Sequence, residues 1–179
     1  MAQQKIKIKI PKNYNPQERV ALAIEIIEQI QDRTSKGKDK NGDDFAAYSK
    51  AYTKSFDFKL AGKSKKVNLE LSGEMLNALT LLNHKAGSIT VGYSRDDEFN
   101  NAKAEGNIKG TYGKKKADPN KARDFLGISS PELDEIIKKY PTKKGSSTNS
   151  DLLATLLATE AASGIAENFL NIEDLSDEL

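Results

Sequence analysis

His84 is the only histidine of the chain and cysteine is absent, so the side chains that carry most nucleophilic and metal chemistry are reduced to one residue. Without a thiol there is no thiolate nucleophile, no disulfide and no Cys-ligated zinc. A lone imidazole cannot form a His pair on a metal, and a Ser/His/Asp set has no choice of base. Beside the helix end expected after Leu82, His84 reads as a surface or helix-terminal residue. The adjacent acids Asp96/Asp97 and Glu173/Asp174 could in principle move protons, but neighbouring solvated carboxylates with no apolar pocket are poor candidates for acid/base work. They read as surface.

Two binding loops fail at named positions. A phosphate cradle needs Gly-x-x-x-x-Gly-Lys-Ser/Thr after a strand, so that backbone amides face the phosphates. Gly62, Lys63 and Ser64 supply its end, but Asp57 stands at its first position, where a carboxylate repels phosphate and the backbone lacks glycine's freedom. A calcium loop begun at Asp39 gains Asn41 and Asp43, then puts Asp44 where glycine must turn the chain and Lys50 where a bidentate Glu is required. An Asn41-Gly42 turn explains that cluster. The chain therefore reads as non-enzymatic, with no cofactor and no metal.

Charge is the stronger signal. The 179 residues carry a net +2, yet residues 151–179 hold seven acidic residues and no Lys or Arg, leaving residues 1–150 at +9, seven above the whole chain. Such asymmetry points to contacts between subunits or with a polyanion. The basic runs Lys63 to Lys66, Lys114 to Lys116 and Lys138 to Lys144 could meet phosphates by counterion release, without reading sequence. No reading helix or RNA motif accompanies them, so contact with DNA is at most non-specific. The acidic C-terminal part could neutralise them from a neighbouring subunit.

The elements that would position these groups follow from periodicity. Lys5 to Ile10 alternates strictly, a strand with Ile6, Ile8 and Ile10 on one face, ended by Pro11. Its edge belongs to its own sheet or is completed by a neighbouring subunit. From Pro16 to about Arg33, capped by Asn15, the residues Val20, Ala23, Ile24, Ile27 and Ile30 form one helical stripe; Leu22 and Ile26 lie off it and predict burial on a second side. A long loop at about 34–66 then sets Phe45, Tyr48, Tyr52, Phe56 and Phe58 among Lys and Asp, with a short helix through Phe45, Tyr48 and Tyr52. These aromatics argue for docking. Val67 to Leu71 is expected to be a strand, Ser72 with Met75 to Leu82 a capped helix, and Ser88 to Tyr93 a strand with Ile89, Val91 and Tyr93 inward. Arg95 to Gly106 reads as a polar stretch and Asn107 to Arg123 as an exposed loop. Pro131 then opens a helix with Leu133, Ile136 and Ile137 apolar.

Residues 143–150 have linker composition. Residues 151–179 read as an acidic helical arm, in which Phe169, Leu170, Ile172 and Leu175 would anchor on a partner, a solvated tail being the other reading. The expected class is α+β: a small sheet packed with several helices, long extended loops and a C-terminal helical arm, with residues 1–142 as the core domain. No stretch approaches the ~20 apolar residues of a membrane span and no signal-peptide core opens the chain, so no membrane role and a cytoplasmic site of synthesis are expected.

Three stretches in order resemble a known family: Arg33-Thr34 followed by GKDKNGDDFAAYSKAY, then VNLELSGEMLNAL with SITVGY, and finally ARDFLGISSPELDEII. They resemble the virion-morphogenesis proteins of tailed bacteriophages, which include tail-completion and neck proteins, over about residues 20–138. Asp124 stands where that family's last block usually has Pro, and the acidic region after Ser150 has no counterpart in it. The resemblance implies a structural virion protein made in the bacterial host cytoplasm and placed at the head-tail junction. It would form a sixfold or twelvefold ring with copies of itself and meet portal or adaptor and tail proteins. A basic DNA-binding accessory protein of phage assembly is the alternative.

Overall fold

The computed structural model describes residues 2–60, 62, 66–69, 73–111 and 116–140. The Lys/Ile alternation makes strand β1, Lys5–Lys9, with its lysines exposed and Ile8 buried; Ile10, just beyond, is buried too. Two further strands, β2 at Thr80–Lys85 and β3 at Ser88–Gly92, complete an antiparallel sheet in the order β1-β3-β2. The register fixes two unlike faces. Ile6, Val91 and Leu81 share one inner row, and Ile8, Ile89 and His84 the next. Lys7, Thr90 and Asn83 share an outer row, flanked by the rows Lys5-Gly92-Thr80 and Lys9-Ser88-Lys85.

A bulge makes that register possible. Leu81 pairs with Val91 but Asn83 with Thr90, so Leu82 is the extra residue of β2. One added residue reverses the in-out alternation beyond it. His84 is thereby turned to the helix-bearing side, where Arg19 Nε donates to its Nδ1 at 3.4 Å. It is a strand residue, which corrects the helix-terminal placement.

Helix α1, Pro16–Ser35, covers the inner face. It starts where the sequence predicts: Asn15 and Glu18 cap each other's backbone N–H reciprocally, and Pro16 opens the first turn, where no N–H is required. The helix packs on β2 and β3 and also on α6, Ser130–Lys139. Leu22 and Ile26 are consequently as fully buried as the main stripe of Ile27 and Ile30.

The middle of the chain departs from its periodicity. The expected strand at Val67 to Leu71 does not form: residues 67–69 are irregular, Leu69 has φ 55, and residues 70–72 lie outside those described. The expected helix to Leu82 shortens to one turn, α4 at Glu74–Asn77, with Gly73 at its N-cap position; the expected cap, Ser72, lies outside the described residues. Its C-terminal half is instead β2. Lys85 pairs with Ser88 across Ala86-Gly87, with Gly87 at φ 83, so a tight hairpin and the sheet behind it override local helical spacing.

The loop at about 34–66 is also more structured than expected. It holds an isolated Lys38–Asp44 bridge and two short helices, α2 at Lys50–Thr53 and α3 at Phe56–Leu60. The first begins behind a Ser49 cap, so Phe45 and Tyr48 precede it. The polar stretch after Arg95 folds as α5, Glu98–Lys109, with a 3₁₀ turn at Pro119–Lys121 following. This helix has almost no apolar stripe and is held by hydrogen bonds. Asn101, 2% exposed, accepts from the Gln4 N–H at 2.7 Å and donates to the Ser94 and Asp97 carbonyls. The architecture is α+β: a three-stranded antiparallel sheet, with six α-helices among the described residues. The linker, the helical arm and its Phe169, Leu170, Ile172 and Leu175 lie outside the described residues.

Candidate functional site

Arg33 sits in the last turn of α1 and is 6% exposed. One of its terminal nitrogens donates to Glu132 Oε2 at 2.8 Å; the other donates to the Phe125 carbonyl at 2.8 Å and the Gly127 carbonyl at 2.7 Å. A planar guanidinium is suited to gather three acceptors in this way, and each such bond is charge-assisted. Glu132 is bound from both sides, because it also closes the α6 capping box with Ser129 and accepts from Gln29 at 3.0 Å. Burial alone would raise its carboxyl pKa. Hydrogen bonds from Ser129, Gln29 and Arg33 outweigh burial and hold it below the usual carboxylate range.

The loop after α1 closes on the same place. Lys40 donates its backbone N–H to the Asp124 carbonyl at 2.9 Å, and its ammonium pairs with the Asp124 carboxylate at 2.5 Å. Asp124 is thus used twice, through its backbone and its side chain. Arg123, 6% exposed, donates to the Ala46 carbonyl at 3.2 Å and lies 5.2 Å from the Tyr48 ring. Gly37, at φ 79, passes so close to the irregular segment at Val67 that a Cβ there would stand 2.7 Å from the Val67 carbonyl oxygen. The loop after α1 and the segment leading into α6, far apart in sequence, therefore meet around Arg33.

The five aromatics singled out for docking divide. Phe45 is 8% exposed and belongs to the core. Tyr48, Tyr52 and Phe58 pack on one another, with ring centroids 5.2 to 5.6 Å apart and the two Tyr–Phe contacts edge-on. They fasten the loop to its own domain. Only Phe56 faces outward, 74% exposed, and Leu60, one turn on along α3 and equally exposed, stands beside it. Sequence reasoning missed Leu60, although its spacing of four from Phe56 was the available signal. It also missed Arg33, Arg123 and Glu132, whose charge argued for the surface.

Burial, followed by the Arg19 charge, lowers the His84 pKa. Burial raises that of Tyr93, and Asp97 adds to it; the Tyr93 hydroxyl is enclosed with no hydrogen-bond partner among the described residues. Among the described residues no group of three acids or histidines is placed to hold a metal ion, and no helix is long and apolar enough to cross a membrane. No family model, curated protein or solved structure matches this chain.

Proposed function

We propose that the chain is a structural subunit of the neck or tail-completion ring of a tailed bacteriophage, placed at the head-tail junction of the virion. The observation that carries this reading is the convergence at Arg33. The residues that resemble the virion-morphogenesis family come from three separated stretches, and the first and third hold each other: Arg33 bonds the backbone of Phe125 and Gly127, and Lys40 pairs with Asp124, while Gly37 passes close to the start of the second at Val67. Two of the three stretches thus build one node, as parts of a shared fold signature would.

In this role the sheet and α1 form a rigid wedge. The Arg33 node fixes the loop and α6 to the end of that wedge, and Phe56 with Leu60 presents an apolar pair to a neighbour. Partners are further copies of the chain in a sixfold or twelvefold ring, the portal or adaptor on one side and the tail on the other. Imaging of purified particles tests the proposal. A ring containing this chain at the head-tail junction is the expected result, with unjoined heads and tails when the protein is removed. Absence from the particle defeats it.

A further inference from the structure

The outer face of the sheet is a charged surface, separate from the buried Arg33 node. It forms a shallow concavity of about 770 Å³ lined by Lys5, Lys7, Lys85 and Arg95, with Thr90 among them and Leu82 as its apolar residue. Strand spacing puts cations on the two outer strands about 10 Å apart, the order of a Debye length at ~0.1 M salt, so their repulsion is incompletely screened. None of the four forms an ion pair among the described residues. Seven lysines elsewhere, Lys36, Lys38, Lys40, Lys103, Lys109, Lys121 and Lys139, meet carboxylates, while others such as Lys12, Lys50 and Lys138 form no ion pair among the described residues. The bulge adds Leu82 to this basic face.

We propose that this face is the receptor for residues 151–179 of the same chain. That segment holds seven acidic residues, no base, and apolar residues spaced between them, which match the cations and Leu82 respectively. Its tether is long enough: eleven residues from Tyr140 to Asp151 reach up to about 36–40 Å, more than the ~30 Å diameter of a small domain. Carriage on the same chain raises its effective concentration over that of a second copy. Nucleic acid fits less well, because the concavity offers no aromatic ring for a base and a phosphate backbone has no use for Leu82. This inference does not rest on the neck assignment.

Zero-length carbodiimide coupling of carboxylates to lysine amines, on a dilute mixture of unlabelled and ¹⁵N-labelled full-length protein, tests it. Expected are couplings from Glu173, Asp174, Asp177 or Glu178 to Lys5, Lys7 or Lys85 within singly labelled chains, falling roughly fivefold at ~1 M salt. Full-length Lys7→Glu/Lys85→Glu protein should keep its melting temperature and lose the Lys5 couplings. Adding Asp174→Lys/Asp177→Lys should restore couplings with the roles of amine and carboxylate exchanged. Couplings between differently labelled chains, couplings of the segment only to other lysines, or none at all would overturn the proposal. So would salt-sensitive binding of duplex DNA by the full chain that Lys7→Glu/Lys85→Glu abolishes.

Discussion

Replacing Arg33 by Met removes the charge and its three hydrogen bonds while retaining most of the stem's volume. The loss has three parts. The Phe125 and Gly127 carbonyls, held at 2.8 and 2.7 Å, lose a charged donor, which costs about 1.5–3 kcal/mol for each bond taken singly. Glu132 loses its cation, although Ser129 and Gln29 still bind it and its side chain is 19% exposed, so water recovers part of that loss. Against these stands a gain, since the buried Nε of Arg33 has no hydrogen-bond partner among the described residues and desolvating a guanidinium is expensive. Contributions around one residue do not add, and breaking a buried ion pair costs about 3–5 kcal/mol in all. The discount for Glu132 and Nε leaves about 3 kcal/mol. For a domain of this size that lowers the melting temperature by about 10 °C. Urea and thermal unfolding of purified protein measure it, with Glu132→Gln expected to cost about 1–2 kcal/mol, because that change leaves the carbonyl contacts in place. Arg33→Met losing under about 1 kcal/mol would refute the idea that this node holds the two ends of the domain together.

Three further outcomes follow from the same geometry. Phe56→Ser/Leu60→Ser should change stability by no more than about 0.5 kcal/mol, whereas Tyr48→Ala/Phe58→Ala should cost about 2–4 kcal/mol; under the proposed function only the first pair lowers the copy number in purified particles without unfolding the chain. Gly37→Ala should lose about 1–3 kcal/mol in urea unfolding, more than Gly42→Ala, because both have positive φ but only Gly37 faces a carbonyl oxygen, at 2.7 Å; equal losses would remove the close approach as the cause. Stability should fall on acidification in two stages. The native His84 pKa lies below 6.5, so the unfolded chain binds the proton first and stability drops as pH falls below that value. Glu132 is held below 4.5, so its contribution is present above that pH and disappears as pH falls through the lower native value. His84→Gln should abolish the first stage alone, as followed by melting temperature against pH.

Local chemistry by itself determined β1, α1, β3 from Ser88 and the α6 start. Each of these reads from its own residues: strict Lys/Ile alternation, an Asn15-Pro16-Glu18 start, and a Ser129-Ser130-Pro131-Glu132 cap place the hydrogen-bond partners within a few positions. The α+β class was legible for the same reason. The helix α5 was not, since its anchor is Asn101 bonding Gln4 across 97 residues, and no apolar period announces it. Nor was β2, whose Met75-to-Leu82 spacing is helical until β3 offers backbone partners on one side and α1 covers the other.

The candidate site divides along the same line. Sequence alone identified the aromatic loop, the absence of cysteine and the single histidine, and the charge contrast between the two parts of the chain. Tertiary structure decided which aromatics face inward, because burial depends on what lies opposite: Phe45 meets the core and Phe58 the rings of Tyr48 and Tyr52, while Phe56, two positions from Phe58 on a short helix, points away. It likewise turned Arg33 from an expected surface cation into the centre of the fold, since a buried guanidinium is tolerable only where distant carbonyls and a carboxylate converge on it.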